Sequence, residues 1–209
     1  MLTLIPSFKK YENLFSGLTS DQISRLDTHF QILQDWNEKI ALVSRKSIQN
    51  SFSPHYADSV LTILKTVHFK IAGPYFDVGT GAGFPGLIFA ILFPDKKITL
   101  YEKTQKKHLF LADVVEKLNL KNVVLKGLLD REKLSGLIYA RAVFSEDSYF
   151  TFFKNHLLPG SVLVRNLGGK DNEFKLPKDF SKIKEEFYSL PDDFGNRKIE
   201  VYKFVPRGT

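Results

Sequence analysis

The chain has 209 residues, 43% of them hydrophobic and 25% charged, the balance of a soluble globular protein long enough to bury a full core. Cysteine is absent, which excludes a disulfide framework, thiolate chemistry and a zinc site built on thiolates. Thirty Lys and Arg stand against 23 Asp and Glu, a net charge of +7 that favours a polyanionic partner, and no apolar run reaches the ~20 residues of a membrane span. The start of the chain lacks a signal-peptide pattern, so a cytoplasmic location is expected.

In chain order, Ile23, Leu26, Phe30, Leu33, Ile40 and Val43 recur at three- and four-residue steps, with Trp36 on the same face, and predict a helix over 18–43. Thr19 with Gln22 forms a capping-box pattern at its start. A second helix is expected over 55–68, entered through Pro54. Together they predict an N-terminal helical cap, residues 1–70, on an α/β core of residues 71–209. Strands follow at 75–78, 97–101, 122–126, 137–143 and 161–164. Between them lie helices that start near Pro85, at a Thr104 cap and at Ser145. Leu111, Val114, Val115 and Leu118 form the buried face of the Thr104 helix. This alternation argues for a parallel sheet with helices on both faces.

Segments 184–190 and 198–205 break the rule. The loop between them is too short for a crossover helix, so they form a hairpin and one strand runs antiparallel. The predicted fold is therefore Rossmann-like: a seven-stranded sheet of the class I methyltransferase kind with a C-terminal antiparallel hairpin, behind a helical cap. Val205-Pro206-Arg207-Gly208 resembles a protease-site scar and is assigned no function.

The chain is organised around Asp77-Val78-Gly79-Thr80-Gly81-Ala82-Gly83-Phe84-Pro85-Gly86, a glycine loop between a strand and a helix. Such loops hold nucleotide-like cofactors at the carboxyl ends of parallel strands. Gly81, Gly83 and Gly86 satisfy the dinucleotide fingerprint, and Glu102, at the end of the second strand, stands where an acidic residue binds ribose hydroxyls. Both features suit NAD and S-adenosylmethionine alike. The hairpin, the basic charge and Asp77, placed to face a ligand ammonium or an ordered water, favour S-adenosylmethionine.

The Gly-Phe-Pro-Gly ending is more specific. With it, the loop resembles that of the small-subunit ribosomal RNA guanine-N7 methyltransferases (the RsmG or GidB family). Trp36-Asn37, His55-Tyr56-Ala57-Asp58-Ser59, Glu102 with Lys106, Phe110 and Leu111, Asn122-Val123, Arg141-Ala142-Val143, and Tyr188 with Leu190-Pro191 and Arg197 are similar to family positions in the same order. The resemblance implies a methyl transfer from S-adenosylmethionine to 16S ribosomal RNA. It places Gly79 and Phe84 on the cofactor loop, Arg141 after the fourth strand, and a backbone pair, best matched by Leu129-Asp130, after the third. The chain departs from the family pattern at Gly127 to Arg131, at Gly136 and at Asn166 to Gly169.

Expected cofactor contacts are thus Asp77, Gly79, Gly81, Gly83, Phe84, Glu102, Leu129, Asp130 and Arg141. Lys106, Lys107 and Arg165 are the candidates for RNA contact. Guanine N7 carries a free lone pair, so no general base is needed; Arg141 is the one candidate catalytic side chain and no metal is expected. The five histidines are scattered and read as structural, with His55 and Asp58 the pair matching a family motif. The partner would be ribosomal RNA or the small subunit, with the protein a monomer. Alternatives are another RNA or a ribosomal protein as acceptor, a cofactor-binding module with little turnover, and, least favoured, a dehydrogenase.

Overall fold

The computed structural model describes residues 15–44, 48, 52–69, 73–141, 146–168, 175–190 and 194–206. Helix α1 (Ser20–Asn37) opens on the predicted capping box: Thr19 Oγ1 accepts from the Gln22 N–H at 3.2 Å, and Gln22 Oε1 accepts from the Thr19 N–H at 2.8 Å. It ends six residues before the expected boundary. Asn37 Oδ1 accepts from the N–H groups of Leu42 and Val43 at 3.0 and 2.9 Å, which folds Ile40 and Val43 into a turn. Trp36 is a packing residue as expected, edge-on to Phe110 with its indole N–H donated to Asp113. The second helix begins as a π-helical segment (Phe52–Ala57), where Pro54 lacks the N–H of an ordinary turn, and continues as α2 (Asp58–Thr66).

The remaining elements are β1 (Tyr75–Val78), α3 (Gly86–Leu92), β2 (Ile98–Tyr101), α4 (Gln105–Lys117), β3 (Val123–Lys126), β4 (Leu137–Arg141), α5 (Glu146–Lys154), β5 (Val162–Gly168), β6 (Phe180–Ser189) and β7 (Asn196–Phe204). They form one seven-stranded sheet in the order β3-β2-β1-β4-β5-β7-β6. Strands β1 to β5 pair in parallel, while β7 lies antiparallel between β5 and β6. Thr104 occupies the N-cap of α4 but makes no side-chain cap bond among the described residues; its N–H goes to Glu102 instead.

Alternate residues of the buried strands face opposite sides. Leu100, Tyr139 and Val164 pack with α1, α2, α3 and α4 through Leu26, Tyr56, Ile63, Leu87 and Phe110. Ile138 and Leu163 face the other way, onto Phe150 and Phe153 of α5 and Tyr202 of β7. The order reverses between β1 and β4, which opens a crevice at the carboxyl ends of the strands.

Gly136, one of the departures noted above, has a backbone reason. Its φ is +152°, and a Cβ there would meet the Pro74 carbonyl oxygen at 2.0 Å, so any other residue would force the backbone here to shift. Gly136→Ala is expected to lower the melting temperature by about 5–10 °C in a thermal scan.

Candidate active site

Strand β1 delivers Asp77 and Val78 into the crevice, and the glycine loop turns back under them. The N–H groups of Gly79 and Thr80 both donate to the Tyr101 carbonyl, at 2.9 and 3.1 Å, which pins the loop to the end of β2. Gly81 takes φ +61°, and its N–H donates to Glu102 Oε2 at 3.1 Å. Glu102 Oε1 accepts from the Thr104 N–H at 2.8 Å. The carboxylate is therefore fixed by two backbone donors, and each oxygen keeps a further lone pair for a ligand.

Asp77 lies beneath the loop and is 1% exposed. Its Oδ2 accepts from Thr80 Oγ1–H at 2.6 Å and from the Gly86 N–H at 2.8 Å. Its Oδ1 is buried without a hydrogen-bond partner among the described residues. Burial pushes the carboxyl up to about 6, despite the Thr80 and Gly86 donors and the charge of Arg141. An orphaned carboxylate oxygen under a glycine loop is a place for a cationic or N–H-bearing ligand group.

Beside the loop is a cavity of about 260 Å³, near the lower edge of the usual ~300–1,000 Å³ for small-molecule sites. Gly79, Gly81 and Glu102 form its polar side, Leu128, Leu129 and Phe152 its apolar side, and Lys107 its rim. The Glu102 carboxylate can accept from ribose hydroxyls, and Leu128, Leu129 and Phe152 offer apolar contact to a base. This lining fits the adenosine half of S-adenosylmethionine, and the Asp77 orphan fits its ammonium end.

A family model described as rRNA small subunit methyltransferase G (GidB) matches residues 22–185. The chain belongs to this family. A relative named ribosomal RNA small subunit methyltransferase G from Bacteroides fragilis is 30% identical over 83% of this chain and 89% of its own. One of the same name from Flavobacterium psychrophilum is 34% identical, with 82% and 84% covered. Among solved structures, a variant of MtNAS in complex with S-adenosylmethionine aligns at TM-score 0.56 and 11% identity, covering 87% of this chain and 75% of that one. That likeness is one of fold.

Of the residues expected at the family's cofactor site, the structure brings Gly79, Gly81, Glu102 and Leu129 to one cavity, with Asp77 below. Gly83 and Phe84 are turned away from it. A Cβ on Gly83 would stand 2.3 Å from Leu87 Cδ1, so this glycine serves helix packing. The Phe84 ring is 3% exposed and sits in the cap, stacked on His55 at 5.2 Å and edge-on to Tyr56 and His29. Asp130 points to solvent with its side chain 79% exposed, 4.0 Å from Arg131 Nε, and its carbonyl meets His156 Nε2 at 2.7 Å. Arg141 does not line the cavity; it stands over the Phe84 ring, paired with Asp58.

The RNA candidates separate as well. Lys106 is exposed and Lys107 belongs to the cavity rim. Arg165 is corrected: β5 runs three residues past it, and the guanidinium is buried beside Glu200 and the rings of Tyr149 and Phe150. It is a core residue. Leu128, Phe152 and Thr104 were missed as cavity residues. Phe152 stands in a helix whose other aromatics are core, so only the fold distinguishes it.

His29 is fully buried with Nδ1 at 2.5 Å from the Tyr56 hydroxyl, and burial lowers its imidazole to about 3. The same cause lowers His55 to about 3, with Arg141 and Arg197 adding to it. Both folded values lie below the ordinary 6.5, so their stabilising contribution is full above pH 6.5 and is lost as pH falls toward 3. Urea unfolding at pH 7.5, 5.5 and 4.5 is expected to show a falling midpoint, and His29→Gln is expected to flatten that slope.

Proposed function

We propose that the protein transfers a methyl group from S-adenosylmethionine to N7 of a guanine in small-subunit (16S) ribosomal RNA. The observation that carries this reading is the cradle of Asp77, Gly81 and Glu102 in a chain of the rRNA small subunit methyltransferase G family. The cofactor supplies a methyl group on a sulfonium, already activated for displacement. Glu102 would accept from the ribose hydroxyls, Leu128, Leu129 and Phe152 would hold the base, and Asp77 Oδ1 would accept from the ammonium. Guanine N7 needs no deprotonation, so the chain's task is to hold the acceptor in line and keep water out. No side chain has to act as a base.

In this reading residues 1–70 are a cap on a catalytic core of residues 71–209, and the protein acts in the cytoplasm as a monomer. Lys103 and Lys106 are exposed beside the cavity rim, where they would contact phosphates without reading sequence. Incubation with labelled S-adenosylmethionine and 16S RNA, small subunits or ribosomal proteins tests the acceptor. Label in RNA, mapped by mass spectrometry to a guanine N7, is the expected result. Label in protein alone would overturn it.

A further inference from the structure

We infer that Asp58 and Tyr188 are positioning residues for Arg141, a clamp that fixes its guanidinium beside the Phe84 ring of the glycine loop; the inference rests on the methyltransferase reading above. Three elements far apart in the chain meet here: the first turn of α2, the carboxyl end of β4 and the edge strand β6. Asp58 Oδ2 accepts from Arg141 Nη1 at 3.0 Å, and Asp58 Oδ1 accepts from the Tyr188 hydroxyl at 2.5 Å. The Tyr188 oxygen lies 3.3 Å from Thr62 Oγ1, which accepts from Asn166 Nδ2 at 2.5 Å. A continuous polar chain thus runs from the cap to β5.

The geometry is directional. Asp58 is buried, its side chain 4% exposed, while Arg141 keeps 19% exposure and its guanidinium stands 5.6 Å from the centre of the Phe84 ring. The carboxylate anchors and the guanidinium is presented. Arg141 is also close enough for its charge to act on Asp77, under the loop.

Stability alone is a weak reason for such a group, because the desolvation of a buried pair largely cancels its attraction. A second observation points to a ligand: His55 Nδ1 and Nε2 and Asn166 Oδ1, on the same cluster, are buried without hydrogen-bond partners among the described residues. Unpaired buried polar atoms are costly and persist where something else engages them. The clamp would hold Arg141 beside these unpartnered groups while the acceptor base is brought to the methyl group.

Two readouts test this. In ¹⁵N-arginine NMR, the Arg141 guanidinium is expected to be ordered and slow to exchange in the wild type, and released in Asp58→Asn and, less fully, in Tyr188→Phe. In methylation assays Asp58→Asn is expected to lower kcat about 10–100-fold with the KM for S-adenosylmethionine changed less than about threefold, and to add less than about twofold in an Arg141→Ala background. An ordered Arg141 signal in both variants, or effects that multiply, would overturn the clamp. If Asp58→Asn does not fold, Tyr188→Phe decides by both readouts. If the wild type methylates no RNA, the functional reading falls and the NMR arm alone judges the clamp.

Discussion

Gly81→Val is expected to weaken S-adenosylmethionine binding by at least about a hundredfold in calorimetry, while the far-UV spectrum and most of the thermal stability are retained. Gly81 sits at φ +61°, where a β-branched side chain is strained, yet a Cβ there would meet nothing nearer than the Gly79 oxygen at 3.9 Å. The damage is therefore to the backbone path and not to the core. Relaxing the strain moves the Gly81 N–H off Glu102 Oε2, and with it the carboxylate that closes the polar wall of the cavity. Gly83→Val would differ: it would drive atoms into Leu87 and unfold the loop–helix joint. Comparing the two variants separates a cofactor defect from a packing defect.

Asp77→Asn is the second large effect, and it moves two quantities in opposite directions. The Oδ1 of the asparagine can take over the bonds from Thr80 and Gly86, but an NH₂ then stands where the unpaired carboxylate oxygen was. Facing an ammonium, that donor repels; a loss of about 10–100-fold in cofactor affinity at pH 7.5 is expected. Stability follows the other sign. The folded carboxyl titrates at about 6, above its ordinary 3.8, so its stabilising contribution is full below pH 3.8 and lost as pH rises through 6. Above that pH the buried charge is a cost to the ligand-free fold, and the amide removes it. The ligand-free variant should melt no lower than the wild type at pH 7.5, by calorimetric scan. Cofactor affinity of the wild type should fall below pH 6 as Asp77 takes up a proton, and that of the variant should stay flat.

Much of the frame was legible because the signals are local. Proline and glycine punctuation set β1, β2 and β4 close to their observed starts, and the parallel core with its terminal hairpin followed from loop lengths. Boundaries failed where a single side chain decides. The apolar period of α1 continues to Val43, but the Asn37 side-chain oxygen Oδ1 accepts from two backbone N–H groups and ends the helix first. Strand β6 begins at Phe180, ahead of expectation, because an edge strand with Ser181, Lys182 and Lys184 exposed or half-exposed carries little apolar alternation. In the site, Gly81 and Glu102 were readable since their chemistry is stated by a loop and the next strand. Arg165 was misread because nothing local reveals that register places it opposite Glu200. The Asp58–Arg141–Tyr188 arrangement spans 83 and 130 residues of chain and is visible only in the fold.

The strand order also sets a timetable. Strand β7 is last in the chain but lies inside the sheet, so β6 has no neighbour to hydrogen-bond until β7 has been made and threaded between it and β5. Asp58 leaves the ribosome 130 residues ahead of Tyr188, a lead of roughly 7–25 s at ordinary elongation rates. A nascent chain therefore displays its glycine loop well before β6 can dock. Stopping translation between Ser189 and Asn196 would leave a cofactor loop with no hairpin behind it, and the Tyr188 partner of Asp58 would hang on an unpaired ribbon.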